Sequence, residues 1–516
     1  MAIKVVKKMK NKQMIYGTVI NYVTVFVQMI STVVVTPYLI KIFGDNDYGI
    51  YKIIVSLAAY LIILNFGVGN TLIRFLSELR AKGEDKGDAA KGLVSFSIAL
   101  NFGAGILAVL VGSLMFQFIP NLFVTSLSMG DLQLARKIFL ILLISAIFSI
   151  LTDVYTSYLF VYEKYTYVKT VDLFKYLLRV ALIFSLINMG KSATLIAYID
   201  LYVSIFVFGA NFIYAVYKGE MRFKICNLKK SMPISLKDFF SYSFLFFLNL
   251  IIEQLIWNTD SIIIGMRLNA SMVSIFSSGA IISAAFNSMT QIISTMIFPK
   301  IVMKFSVRNP KEKSTEVMVR ISRLQAFIAF YILGGYLVVG KFFVTDVWLD
   351  PSYELAWSTS IIVMVGTLFS SLMGSGHLIL RAINKQAYFL VCEFLIFLAN
   401  VIATYMLVKP LGIKGAAYST TAAYVIGMCA FIVPYLKKTI GLDIRQYLRS
   451  ILPIVVSMVC MSILLYVIAN SVGITSKAGM IVWGGIYTII YIALAYIISS
   501  KDEKEALRTM RKKGTN

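Results

Sequence analysis

MIYGTVINYVTVFVQMISTVVVT, residues 14–36, runs for 23 residues without one charged side chain. As a helix rising 1.5 Å per residue it is about 35 Å long, enough to cross the ~30 Å hydrocarbon layer of a bilayer. Working outward from it, the same kind of run returns about fourteen times. The expected spans are 14–36, 51–73, 92–117, 133–158, 171–189, 193–216, 239–265, 271–298, 322–344, 357–379, 387–408, 413–436, 451–471 and 479–499. Backbone amides in hydrocarbon must be satisfied within the segment, so these spans predict an all-α, polytopic membrane protein.

Composition agrees. With 59% hydrophobic residues and a mean hydropathy of +0.81, the 516-residue chain is too apolar for a soluble multidomain protein. Its net charge of +24 invites a nucleic-acid reading until the charges are located. Of 49 Lys and Arg, 37 fall in alternate connectors and the two tails: 1–13, 74–91, 164–169, 218–237, 300–323, 381–385, 437–449 and 501–513. That is the positive-inside asymmetry, which predicts a cell-membrane protein with both termini cytoplasmic and no nucleic-acid partner. The basic N-terminal flank precedes an apolar run of full spanning length without a small-residue cleavage site, so that run reads as a retained first helix. Cys226, Cys392, Cys429 and Cys460 are widely spaced and suggest neither a disulfide framework nor a metal site. Connectors of at most about 25 residues leave no room for a soluble catalytic domain.

A weak internal repeat divides the spans. The segment Tyr38–Tyr51 resembles Ile263–Phe276, and the Leu72–Phe75 exit of span 2 meets Ile297–Lys300 at the exit of span 8. Tyr162–Tyr165 corresponds to Ile383–Gln386, and Asn188–Lys191 to Pro410–Ile413. Six spans per copy make the repeats parallel, related by an axis along the membrane normal. The expected organisation is an N-terminal lobe at 1–217, a C-terminal lobe at 218–438, and two accessory helices with a tail at 439–516. Spans 13 and 14 read as a lipid-facing appendage.

Function is sought where polar residues interrupt the spans, because such groups must face protein or water. Span 1 carries Asn21, Thr24, Gln28 and Thr32 at helical spacing; span 7 carries Asn249, Glu253, Trp257 and Asp260; span 8 carries Ser283, Asn287, Gln291 and Ser294. These stripes either line a wet cavity or hydrogen-bond between packed helices, and cavity lining is the expectation taken. In span 5, Asp172, Lys175 and Arg179 share a face. Asp172 can neutralise Lys175, which can also snorkel, whereas Arg179 has no partner within a helical turn and is the better cargo contact. Lys52, Arg74 and Lys300 sit at span ends, where they serve either an anion or topology. Glu253 and Asp260 either bind a coupling cation or partner basic side chains. His377, the only histidine, cannot build a multi-histidine metal site, and Gly67-Val-Gly69 reads as a packing or turn element without nucleotide context. No cofactor is implied.

Four motifs carry a resemblance: Pro37–Gly44 followed by Tyr48–Tyr51, Phe66-Gly-Val-Gly-Asn70 running to Arg74, Asn258–Gly265, and Leu411–Ala417. In this order, with fourteen spans, the chain resembles the polysaccharide flippases of the multidrug/oligosaccharidyl-lipid/polysaccharide exporter superfamily. The resemblance implies two six-helix lobes, a cationic central cavity, and alternating access. It implies as cargo an undecaprenyl-diphosphate-linked oligosaccharide carried from the inner to the outer leaflet for surface or capsular polysaccharide synthesis. Implied partners are that polyprenyl-diphosphate-linked oligosaccharide, membrane lipids, a coupling cation (H+ or Na+) and polysaccharide polymerase machinery. Relatives that flip lipid-linked peptidoglycan precursor carry arginines in the first helix; Asn21 and Gln28 stand in this stripe, which favours another oligosaccharide. The alternatives are that precursor, an ion-coupled multidrug exporter of the same superfamily, and a membrane-embedded glycan polymerase or ligase, for which the short connector near Asp346 and Asp350 offers little room. The expectation is a transporter, not an enzyme.

Overall fold

A computed structural model describes residues 2–186, 192–219, 221, 235–305, 310–383, 385–500 and 503–504, and among them there is no strand. Cys226, the Asn188–Lys191 turn, Asn384 and most of the 218–237 connector lie outside the described residues, as does the side chain of Lys300. The protein is a multi-pass, all-α membrane protein.

The helices are α1 (Ala2–Ala59), α2 (Val68–Ala81), α3 (Asp88–Phe123), α4 (Met129–Val161), α5 (Tyr165–Leu186), α6 (Thr194–Ile213), α7 (Leu236–Trp257) and α8 (Thr259–Arg267). They continue with α9 (Ala270–Phe305), α10 (Pro310–Phe342), α11 (Glu354–Ala382), α12 (Ala387–Leu411), α13 (Ile413–Gly427), α14 (Val433–Ile440), α15 (Ile444–Val472) and α16 (Lys477–Ile498). Among the described residues, 12 stretches are long and apolar enough to span a membrane. Fourteen spans fit within this. Ile20–Ala81 holds two, bent at Gly44 (φ 79°). The other is α5, whose Lys169, Asp172, Lys175 and Arg179 keep it out of the apolar set.

The chain forms two compact units, Met1–Ser274 and Ile275–Asn516. The first unit runs past the expected lobe boundary at 217/218, because α7 and α8 pack on α1, α2 and the turn at 60–65.

Within the first unit, α5 runs parallel to α1. The Thr24 hydroxyl lies 3.4 Å from the Lys169 carbonyl, and the Tyr38 and Phe184 rings stand 4.8 Å apart. Span 2 is not one helix: a 3-10 turn at Tyr60–Asn65 and left-handed Phe66 (φ 53°) and Gly67 (φ 69°) separate it from α2. No proline is involved. The freed backbone groups find other partners, as irregular backbone at this depth requires. Gly67 N–H donates to Asn65 Oδ1 at 2.6 Å, Gly69 N–H donates to Asp153 Oδ2 of α4 at 3.0 Å, and Gly67 O accepts from Thr71 N and Oγ1. Gly69 is required sterically, since a Cβ there would lie 2.2 Å from Asp153 Oδ2 and 2.4 Å from Ser157 Oγ. Span 7 is interrupted too, at Asn258 between α7 and α8. Span 1, by contrast, runs on as helix to the bend at Gly44.

In the second unit α10 is the hub, packing against α11, α15 and α16. Lipid offers little hydrophobic drive between helices, so polar contacts and close packing decide. Tyr487 donates to the Phe330 carbonyl at 2.8 Å, Tyr491 donates to the Phe327 carbonyl, and Tyr331 bonds Thr488 at 3.2 Å. Gly334 leaves the space these contacts need, because a Cβ there would lie 2.2 Å from Ser462 Oγ and 2.3 Å from the Tyr487 hydroxyl. Arg323 completes the joint: its guanidinium pairs both Glu503 oxygens at 2.8 Å and donates to the carbonyls of Ser450 and Ile498. Spans 13 and 14 keep faces of exposed Leu, Ile and Val, yet Tyr487 and Tyr491 of α16 and Glu503 beyond it are bound to α10, and Tyr447 of α15 donates to the Leu372 carbonyl of α11 at 3.0 Å.

Candidate functional site

Arg179 lies 14 residues into α5, about 21 Å from its start and about 10 Å from its end. The helix begins at Tyr165, six residues before the expected start of span 5, which places Arg179 in its second half. It does have a partner, from the next helix. Arg179 Nε donates to Asp200 Oδ1 at 2.6 Å, and a terminal nitrogen donates to the Tyr51 hydroxyl at 3.0 Å. Tyr51 in turn donates to Asp200 Oδ2 at 2.5 Å. This closed ring ties α1, α5 and α6 together. The Arg179 and Asp200 side chains keep 27% and 19% of their surface accessible, while Tyr51 is buried. A desolvated guanidinium with its own carboxylate is charge-neutral as a pair, yet a phosphate offers Arg a stronger, forked acceptor.

Lys52 follows Tyr51 directly and holds its ammonium 5.4 Å from the Tyr48 ring. Arg74, largely exposed, pairs with Glu78 at 3.2 Å and lies 4.1 Å from the Tyr242 ring of α7. Asp172 pairs with Lys169 at 3.1 Å, not with Lys175, whose ammonium lies 5.6 Å from the Tyr176 ring.

The polar stripes divide by burial. In span 1, Thr24 is buried against α5, whereas Asn21 is half-buried and Gln28 exposed. In α9, Ser283 donates to Ser360 O at 3.2 Å and Ser294 accepts from Gln325 at 2.9 Å, both buried; Asn287 and Gln291 between them are half-buried. The hydroxyls therefore bond between helices, and the amides keep surface for something else. In α7, Asn249 donates to Glu253 Oε1 at 3.2 Å, with Glu253 exposed. Asp260 is buried and partnered, lying near Tyr60, which bonds Thr259. His377 stacks on Phe389 with ring centroids 4.0 Å apart. Among the described residues no cluster of His, Cys, Asp and Glu could hold a metal ion.

Among the carboxylates that escaped the sequence reading are Asp153 in span 4 and Asp200 in span 6. Both carried a signal, since an acid inside a span is a site candidate wherever it occurs. Asp153 satisfies the amino end of α2, and Asp200 holds Arg179. In the second unit, Asn400 of α12 donates to Thr420 of α13 at 3.2 Å.

The sequence model of the family described as "Polysaccharide biosynthesis protein" matches residues 15–305, more than half of the chain. The chain belongs to that family. The fold is that of the multidrug/oligosaccharidyl-lipid/polysaccharide exporter superfamily, as solved structures show. A lipid II flippase, MurJ, in an inward closed conformation superposes with a TM-score of 0.72 at 18% identity, over 96% of this chain and 100% of its own. An inward-facing multidrug resistance MATE transporter gives 0.65 at 15% identity, over 81% and 99%. A second MATE structure, in complex with MaD3S, gives 0.58 at 14% identity, over 83% and 97%. Among curated proteins none matches this member of the family.

Proposed function

We propose that the protein is a flippase that moves an undecaprenyl-diphosphate-linked oligosaccharide from the inner to the outer leaflet by alternating access, for surface or capsular polysaccharide synthesis. The observation that carries the reading is Arg179: a partly accessible guanidinium deep in a span, in a chain of the polysaccharide biosynthesis family. A charge at that depth costs several kcal/mol unless it is paired or used, and a diphosphate is the anion it suits best. Lys52 at one end and Arg74 at the other would meet the same head group on entering and leaving. Asn21, Gln28, Asn249, Asn287 and Gln291 would bond sugar hydroxyls, for which amides offer both donors and acceptors. The polyprenyl tail stays in lipid throughout.

In this reading both termini are cytoplasmic and the lobes follow the parallel repeat, 1–217 and 218–438, with 439–516 as accessory helices and tail. The chain catalyses no bond-making. Lipid-linked peptidoglycan precursor is the second reading for the cargo. Glu253, exposed beside Asn249, favours a third, a cation-coupled exporter in which Glu253 and Asp260 take the ion.

The test is reconstitution in proteoliposomes with fluorescent undecaprenyl-diphosphate oligosaccharide, whose appearance in the opposite leaflet is read with an impermeant quencher. Transfer well above that in protein-free vesicles is expected. Export of a cationic drug without any lipid movement would overturn the flippase reading, and transfer restricted to the peptidoglycan precursor would reassign the cargo.

A further inference from the structure

The elbow between α14 and α15 forms an open, shallow cavity of about 620 Å³, within the size range of small-ligand sites. Its rim carries Lys437, Arg445 and Arg449; its wall carries Leu448 and Leu452; Asp443 stands at the entrance to α15. The three cations are exposed, and among the described residues none of them forms an ion pair. Asp443 is otherwise engaged, accepting the Gln446 N–H at 3.0 Å as the helix cap. Leu448 and Leu452 are each about half exposed, and the exposed apolar row continues along the same helix through Val456, Val459 and Ile463.

We infer that this cavity is a binding site for one anionic phospholipid of the leaflet on the basic-connector side. The geometry requires an amphiphile: arginines one turn apart suit a phosphodiester, and an apolar ridge leading away from them suits an acyl chain. A soluble anion would leave Leu448 and Leu452 uncovered, and a zwitterionic lipid would leave the net positive charge of the rim unmatched. The site lies on the second unit and is separate from Arg179 and its ring, so it stands whatever the cargo is.

The test uses the full-length protein in nanodiscs of equal phosphatidylglycerol and phosphatidylcholine, with retained lipids counted by native mass spectrometry after extraction. Retention of phosphatidylglycerol over phosphatidylcholine is expected. Lys437→Gln, Arg445→Gln and Arg449→Gln together should abolish that preference, by roughly fivefold per charge removed. Lys82→Gln with Lys86→Gln, in a different basic connector, should leave it intact. If the triple variant fails to fold, Arg449→Gln alone carries the comparison. Equal retention of the two lipids by the wild type, or unchanged preference in the variant, would overturn the inference. So would displacement of phosphatidylglycerol from the cavity by undecaprenyl diphosphate at equimolar amounts, which would give the site to the cargo.

Discussion

Under the proposed function Arg179 has two separable jobs, and a neutral swap tells them apart. Asp200→Asn removes the counter-charge of a guanidinium that touches two partners at 2.6 and 3.0 Å. Breaking a fully buried pair costs about 3–5 kcal/mol; with about a quarter of each side chain accessible, about 2 kcal/mol is the better expectation. Arg179→Gln should cost a similar amount, for it strands Asp200. The double variant Arg179→Gln/Asp200→Asn leaves two neutral, hydrogen-bonding side chains of similar size and should regain most of the loss, as neutral replacements of buried ion pairs do. Thermal unfolding in detergent reads this first half. Transport of undecaprenyl-diphosphate oligosaccharide reads the second, and there the double variant should remain as inactive as Arg179→Gln alone, because the phosphate has lost its cation. Transport that recovers together with stability would refute the argument and make Arg179 a purely structural residue.

Three further outcomes follow from packing and charge. Gly69→Val places a branched side chain where Asp153 and Ser157 already lie, and overpacking of this kind costs about 1–3 kcal/mol; unfolding at the wild-type temperature would show the break in span 2 to be looser than described. Gly334→Ala should destabilise for the same reason, and adding Ser462→Ala with Tyr487→Phe, which deletes the two oxygens it would strike, should restore most of the loss in the same assay. Burial disfavours the Glu503 carboxylate, but the hydrogen bonds from Arg323 and from Ser500 outweigh it and hold its pKa below the ordinary value of 4.5. A depressed acid contributes stability above its unfolded pKa and loses it as pH falls through the folded one. Amide exchange at Ser499, Ser500, Glu503 and Lys504, corrected for its intrinsic pH dependence, should thus stay slow from neutral pH down to about 4.5 and accelerate below it. In Glu503→Gln it should be fast throughout.

The spans were legible because a bilayer imposes one length on every helix, and runs such as 14–36 advertise it without reference to anything else. The breaks were legible only in part. Gly67-Val-Gly69 marked a turn where span 2 breaks, but Tyr60–Asn65 before it contains neither glycine nor proline, so nothing within it announces the 3-10 turn, and Asp153 of α4, which accepts the Gly69 N–H, lies 84 residues away. The stripes were half legible: spacing placed Thr24, Ser283 and Ser294 on the same faces as Gln28, Asn287 and Gln291, but periodicity cannot tell a hydroxyl that bonds a neighbouring helix from an amide left accessible. Arg179 was legible and its partner was not. Its partner lies 21 residues away on the next helix, beyond the reach of any within-helix pairing rule.

What these partners share bears on mechanism. Asp200 to Arg179, Asp153 to Gly69, and Thr71 to Ser243 at 2.9 Å all join different spans inside the first unit. An alternating-access carrier needs each moving body to hold its shape while it swings, and lipid supplies no hydrophobic force to hold it. Buried polar joints do that work, because separating them leaves an unsatisfied group in a medium that cannot replace the bond. The groups left for a sugar are then those the joints do not consume, the accessible amides. Under the proposed function Arg179 belongs to both sets, and cargo binding there would compete with a joint. Diphosphate arriving at Arg179 would loosen Asp200 and Tyr51 together and weaken the tie among α1, α5 and α6. That gives the cargo a physical means of favouring a different conformation from the one the empty protein holds.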